Sequence, residues 1–250
     1  MNGPDILLQG KEITRKWGGL TALNQVSISL ERGCVHAVIG TNGAGKSTLI
    51  NILSGEFPPS SGSIELLGQD VTGWTQARRA RGGLGRSYQR NTIFPSFSVF
   101  ENCRLAAQAT HQRAWQWWRA AQACTVSCDI AADVIARTGL AELQDRTAGL
   151  LSHGQKRQLE IAMCLATQPQ VLLLDEPLAG MGAEETERML SLLHALRAGH
   201  AILLVEHDMD AVFRIADCIT VMVNGCVIAS AAPEVIRTDR QVQIAYLGEH

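Results

Sequence analysis

Apolar positions along the chain fall into strand-sized groups whose internal spacing changes from one stretch to the next. Residues 6–8, 13–17 and 26–30 are short, and Val26, Ile28 and Leu30 alternate with polar neighbours. That period of two predicts half-buried strands. Another strand is expected over residues 64–67, after the turn-forming cluster Pro58-Pro59-Ser60-Ser61-Gly62. Residues 35–39, 171–174 and 201–205 are instead continuously apolar, the pattern of parallel strands covered on both faces. Helices are expected over residues 47–53, closed by Gly55, and over 184–196 and 209–215. Asn224-Gly225 predicts a two-residue hairpin turn within residues 219–228. Ala232-Pro233-Glu234 opens a final helix. From residue 101 to 148, alanine, glutamine and tryptophan dominate and β-branched residues are few, which predicts a helical insertion. The expected architecture is α/β. A mostly parallel core, with an antiparallel β subdomain, spans residues 1–92 and 165–250, and a helical subdomain spans 93–164.

Composition narrows the function. Lys and Arg total 22 against 24 Asp and Glu, a balance that gives no support for a nucleic-acid partner. No apolar run approaches the ~18 residues of a membrane span. The opening Met-Asn-Gly-Pro-Asp has neither the basic nor the apolar region of a secretory leader, so none is expected. The seven cysteines are odd in number and scattered, which fits a reducing compartment rather than a disulfide framework. Cys34, Cys164, Cys218 and Cys226 sit in apolar segments and read as small core residues. Cys124 and Cys128 are four apart, with no ligand pattern around them, and read as structural.

The most specific chemistry is Gly40-Thr41-Asn42-Gly43-Ala44-Gly45-Lys46-Ser47, a phosphate-cradling P-loop placed between a predicted strand and a predicted helix. Glycines at 40, 43 and 45 let successive N–H groups turn inward, and the helix adds the positive end of its dipole. Residues Gly40 to Thr48 are the candidate nucleoside-triphosphate-binding set, with Lys46 reaching the β- and γ-phosphates and the Ser47 hydroxyl holding Mg²⁺. The fold class is therefore that of a P-loop NTPase. Asp175 and Glu176 end the apolar strand at 171–174, where open α/β sheets bind ligands. Beside a P-loop, Asp175 would join the Mg²⁺ shell and Glu176 would orient the attacking water. Ser152-His153-Gly154-Gln155 form a Ser-x-x-Gln capping box for a helix running through Thr167, and a helix start is also an anion site. The two roles are compatible.

Together these segments resemble the ATP-binding cassette (ABC) family of ATPase subunits over essentially the whole length. Leu151 to Gln155 resembles the family signature Leu-Ser-Gly-Gly-Gln, which in the family's closed dimer meets the ATP of the opposite subunit. The resemblance implies three further roles. Gln89, in Ser-Tyr-Gln, would be the Q-loop glutamine linking Mg²⁺ and the attacking water to a membrane partner. His207, in Val-Glu-His-Asp, would be the switch histidine on the γ-phosphate, and Trp17 the aromatic that stacks on adenine. The catalytic set is then Glu176, His207 and Gln89, and the metal set Ser47, Gln89 and Asp175. Two departures stand out. His153 replaces the first signature glycine, and Gly182 replaces an aspartate that many members carry.

Leu-Ser-His-Gly-Gln-Lys-Arg-Gln-Leu-Glu-Ile-Ala, Ala-Gly-Met-Gly, Glu-His-Asp-Met and the ending Ala-Tyr-Leu-Gly-Glu resemble the ATPases of branched-chain amino acid importers, and urea and amide importers share much of the pattern. This implies a second ATPase subunit, for which the resemblance favours a different chain over a second copy, two membrane-spanning permease subunits and a periplasmic binding protein. It also implies a place on the cytoplasmic face of a bacterial inner membrane. A cassette ATPase serving no transporter is the alternative; the single cassette, without coiled-coil insertion or zinc-ligand cluster, argues against several such forms. A regulatory module without turnover is disfavoured by Glu176 and His207. Phe94, Phe97, Val99 and Phe100, with Trp115, Trp117 and Trp118, would either fill the helical subdomain's core or form a groove for a permease helix.

Overall fold

A computed structural model describes residues 5–88, 92–111 and 125–247. Strands β1 (Ile6–Trp17) and β2 (Leu20–Glu31) lead into β3 (Val35–Gly40) and helix α1 (Lys46–Ser54). There follow β4 (Ser61–Leu66), β5 (Gln69–Asp70), α2 (Gln76–Arg81) and β6 (Leu84–Arg86). Next come α3 (Val99–His111), α4 (Thr125–Arg137) and α5 (His153–Ala166). The chain then returns to β/α alternation: β7 (Val171–Asp175), α6 (Ala183–Arg197), β8 (Ala201–Val205) and α7 (Met209–Ile215). It ends with β9 (Cys218–Val223), β10 (Cys226–Ala231), α8 (Pro233–Thr238) and α9 (Arg240–Leu247).

Two sheets result. The first, β2-β1-β4-β5, is antiparallel; the second runs β10-β9-β3-β8-β7-β6, parallel except where β10 folds back on β9. Every residue of β3, β7 and β8 is buried, as expected for strands with a layer on each face. The alternation of side chains sorts β7 cleanly. Leu172 and Leu174 join the core shared with α3, α4, α5 and α6, while Val171 and Leu173 join the core shared with α1 and the antiparallel sheet. α1 is fastened at its far end by Arg79, fully buried, which donates to the carbonyls of Ile52 (2.7 Å) and Leu53 (2.8 Å). Burial pulls that guanidinium down to about 10.

The structure corrects several expectations. Residues 6–8 and 13–17 are one strand, β1, interrupted by register shifts between Gly10 and Ile13 where Glu12 takes a φ of 51°. The final helix is two, divided at Asp239. Only Cys164 of the four cysteines expected in the core is buried; Cys34, Cys218 and Cys226 are half-buried, and among the described residues Cys103 is the other buried thiol. Burial pushes Cys103 and Cys164 up to about 12. Val99 and partly buried Phe100 pack into the helical core, but Phe94 and Phe97 are 49% and 43% exposed. Trp115, Trp117, Trp118 and Cys124 lie outside the described residues, as does Gln89. Among the described residues no helix is long and apolar enough to cross a membrane.

Candidate nucleotide-binding site

The loop between β3 and α1 is built on close approach. Gly45, the residue before α1, has φ 101°, and a Cβ there would lie 2.7 Å from the Ala22 carbonyl oxygen, so only glycine fits. Residues 42–48 line a cleft of about 450 Å³ together with Trp17, Leu20 and His207. No acidic residue sits in the first turn of α1, so its free N–H groups face the loop without a competing charge. Lys46 is buried and folds back on the loop, its Nζ donating to the carbonyls of Gly40 (2.7 Å) and Thr41 (3.1 Å). Burial pushes the Lys46 ammonium below its ordinary value, while Glu176 and Asp175 pull the other way.

Trp17 is 42% exposed at the cleft. Its ring meets Phe57 edge-on at 5.5 Å, and the Arg15 guanidinium sits 5.0 Å from its centroid. Neither Arg15 nor Phe57 is singled out by the sequence, because the contact joins β1 to the turn before β4.

At the end of β7, Asp175 is 3% exposed, and its Oδ1 has no hydrogen-bond partner. Burial pushes this carboxyl up; the strongest opposing influence is Arg86, followed by Lys46 after the like charge of Glu176. An orphaned carboxylate oxygen, with the exposed Ser47 hydroxyl on the facing helix, is a hard-oxygen donor set of the kind Mg²⁺ takes, so the residues fit that ion.

Glu176 follows in the left-handed region, φ 50°, with its N–H donating to Val205 at 2.9 Å. That turn carries its side chain off the strand axis toward β8, where His207 Nε2 donates to Glu176 Oε1 at 2.8 Å. Glu206, buried, fixes both partners: Oε1 accepts from Leu178 N (2.8 Å) and Oε2 from His207 N (3.1 Å). Burial pushes Glu206 up, and those two backbone donors oppose the shift. A carboxylate directly before His207, at the end of an apolar strand, was the sequence signal for it.

Ser152 and Gln155 form the expected reciprocal capping box on α5. Ser152 Oγ also donates to Glu185 Oε1 at 3.2 Å, and a Cβ on Gly154 would fall 2.5 Å from Glu185 Cδ. The His153 ring lies against Gly180, and Gly182 is the N-cap of α6. Ser152, Gly154 and Gln155 line a small cleft of about 170 Å³ whose lining includes no P-loop residue. One chain therefore does not bring the signature and the P-loop together.

Gln89 is approached through three anchored residues. Arg86 bonds Asn51 Oδ1, Ser54 Oγ and Glu56. Ser87 Oγ accepts from Asp175 N, and the Tyr88 carbonyl accepts from Arg157.

Known proteins resemble the chain in sequence and in fold. The model of the ABC transporter family matches residues 23–179. BraF of Pseudomonas aeruginosa, a high-affinity branched-chain amino acid transport ATP-binding protein, is 37% identical, covering 97% of this chain and 98% of its own. LivG of Escherichia coli K12, described in the same words, is 39% identical over the same shares. A nucleotide-free ATP-binding cassette from an ABC transporter superposes with a TM-score of 0.87 at 30% identity, covering 98% of this chain and all of that one. The ADP conformation of another such cassette gives 0.84 at 28% identity, covering 98% and 99%. The P-loop on its helix, the acidic end of β7 and the full-length match to cassette proteins have one meaning: the chain belongs to the ABC transporter family, as an ATP-binding, ATP-hydrolysing cassette.

Proposed function

We propose that this cassette powers import of branched-chain amino acids, or of a similar small polar solute, through a membrane complex. The full-length likeness to BraF and LivG carries the substrate class. In this reading a second, different ATPase chain completes the motor, two permease subunits form the path, and a periplasmic binding protein delivers solute. The cassette works at the cytoplasmic face of a bacterial inner membrane. Residues 93–164 act as a helical subdomain that carries the signature, against a core of residues 1–92 and 165–250.

Within the site, the contact between Glu176 and His207 supports the hydrolytic roles. The backbone of residues 40–48 and Lys46 bind the phosphates, and Trp17 stacks on adenine. Ser47 and Asp175, with Gln89, would hold Mg²⁺, which when bound would supply neutralisation of the phosphate charge. Glu176 accepts a hydrogen bond from the attacking water and orients it in line with the γ-phosphorus. His207 holds the Glu176 carboxylate in place and presents its imidazole to the γ-phosphate. Ser152, His153, Gly154 and Gln155 meet the ATP held by the partner cassette.

The test is purification of the chain from detergent-solubilised membranes with its permease subunits, followed by reconstitution in MgATP-loaded vesicles. ATP-dependent uptake of radiolabelled leucine, isoleucine or valine, delivered by the co-purifying binding protein, is the expected result. An ATPase that recovers no permease, or a complex that carries none of these solutes, would send the assignment elsewhere.

A further inference from the structure

Two buried charges on α5 reach out of their own helix. Arg157 and Glu160, three residues apart and on one face, form an ion pair at 2.8 Å with side chains 9% and 2% exposed. The same guanidinium Nη1 donates to the Tyr88 carbonyl at 2.8 Å, and the other oxygen of Glu160 accepts from the Thr92 N–H at 3.2 Å. Tyr88 and Thr92 flank residues 89–91, which lie outside the described residues. The pair thus holds the main chain at the residue before Gln89 and at the third residue after it.

Stability alone is a poor reason for such a pair. Desolvating two charges costs about as much as their attraction returns, and apolar replacements are often neutral or better. What an apolar pair lacks is direction. Here a donor meets a carbonyl and an acceptor meets an amide, each on another segment. The approach to Tyr88 is equally constrained on its other side. Arg86 grips the last turn of α1 at Ser54 Oγ (2.6 Å), and Ser87 Oγ takes the Asp175 N–H at 3.3 Å. The three residues 86–88 are therefore tied in turn to the P-loop helix, to the acidic strand and to α5. α5 is a continuous helix from His153 to Ala166, so a rotation at its capped start moves Arg157 and Glu160 with it.

We propose that Arg157 and Glu160 are positioning residues, a two-point clamp by which α5 sets the main chain on both sides of Gln89 and couples its own orientation to the hydrolytic site. The proposal rests on the role given above to Gln89. It concerns how that role is coordinated with the helix that Ser152 opens.

The charge-swapped variant Arg157→Glu/Glu160→Arg discriminates. It keeps an ion pair but offers an acceptor to a carbonyl and a donor to an amide. In the complete membrane complex with MgATP, kcat should fall about 2- to 30-fold with KM unchanged. ATP affinity of the full chain alone should stay near wild type, its melting temperature should fall because the buried contacts to Tyr88 and Thr92 are left unsatisfied, and the Thr92 amide should exchange with solvent faster. Arg157→Lys, which keeps a donor, should recover most of kcat. Should the swap fail to fold, Glu160→Gln (acceptor kept) against Glu160→Leu (acceptor lost) asks the same question, with only the leucine variant slowing turnover. Wild-type turnover in the swap, equal effects of glutamine and leucine, or a kcat loss with Thr92 exchange unchanged overturns the clamp. Gln89→Ala is the separate control. If it leaves kcat intact the role of Gln89 fails, while Thr92 exchange still reports on the clamp.

Discussion

His207 Nε2 and Glu176 Oε1 are 2.8 Å apart although 31 residues separate them in sequence. The contact exists because β7 and β8 are adjacent parallel strands, with Asp175 paired to Val205, so Glu176, one residue past β7, and His207, two past β8, emerge at the same end of the sheet. Glu206 then locks the geometry from below through the Leu178 and His207 amides. A carboxylate held this way would lose little freedom on orienting a water, the role proposed for Glu176.

Glu176→Gln keeps the size of the side chain and a hydrogen bond to His207 but removes the negative charge. ATP affinity should be unchanged within about twofold, while phosphate release by the assembled complex falls by about 10²- to 10⁴-fold. Titration calorimetry and a single-turnover phosphate assay read the two quantities. Near-wild-type release would remove Glu176 from the reaction.

Asp175 should trade stability for function. Its Oδ1 is buried and unpartnered, and burial works against its charge. Asp175→Asn removes that penalty, so the nucleotide-free chain should melt about 2–4 °C higher, the shift for about 1 kcal/mol in a chain this long. The same variant should lose Mg²⁺-dependent ATP hydrolysis. A lower melting temperature in calorimetry would mean that the carboxylate is satisfied by a group such as Lys46.

Trp17 tests the adenine contact. Arg15 and Phe57 already hold the indole, so little rotamer freedom remains to be lost on binding. Trp17→Ala should weaken ATP binding about 5- to 150-fold, and Trp17→Tyr should keep most of the affinity. Equal losses in the two variants, read by calorimetry, would assign the ring to packing instead.

What could be read from the chain before folding was whatever is local. The continuous runs at β3, β7 and β8, the P-loop, the Asp-Glu strand end and the Asn224-Gly225 turn each carry their meaning within a dozen residues. β6 was missed because it is Leu84-Gly85-Arg86 with glycine at its centre. That glycine is required, since a Cβ would lie 2.6 Å from Cys164 Sγ, but the reason sits 79 residues away. The same holds for Arg157 with Tyr88 and for Glu185 with Gly154: pairing across elements leaves no periodic trace. The exposure of Phe94 and Phe97 was also undetermined, since four neighbouring apolar residues give no phase from which to choose inside or outside.

The signature start has a steric condition of its own. A Cβ on Gly154 would meet Glu185 Cδ at 2.5 Å, the far end of a flexible side chain. In Gly154→Ala, Glu185 must therefore swing aside and give up its hydrogen bond from Ser152, a cost of about 0.5–1.5 kcal/mol that offsets the gain of alanine over glycine within α5. In a Glu185→Ala background, where that conflict is gone, Gly154→Ala should stabilise the chain by about 0.5–1 kcal/mol, a coupling visible in a double-mutant cycle of urea melts. Additive effects would show that the two residues do not share the space. ATP binding to the isolated chain should be normal throughout, because the P-loop cleft is lined by other residues.

Phe94 and Phe97 stack at 5.6 Å with an interplanar angle of 27°, and both remain exposed, as does Leu150 at 69%. Their backbone is firmly set. Phe94 N donates to Asn102 Oδ1 at 2.7 Å, the Phe97 carbonyl accepts from Ala148 N at 2.8 Å, and Gly149 N donates to Pro95 O at 2.8 Å. A rigid, solvent-facing aromatic pair beside an exposed leucine contributes little to the fold it sits on, whereas Val99 and Phe100 face the core. We therefore expect Phe94→Glu and Phe97→Glu to change the melting temperature by no more than about 2 °C, the scale of a surface substitution of about 0.5 kcal/mol. ATP binding should be untouched, since neither ring lines the P-loop cleft. Assembly with the permease subunits should fail, because a carboxylate would be forced into an apolar contact without a partner. The measurement is recovery of permease on the tagged cassette from solubilised membranes, alongside calorimetry of the purified variants. Full recovery by both variants, with uptake intact, would move the permease contact to another face of the cassette; unfolding of both would place the rings in the stability of the helical region instead.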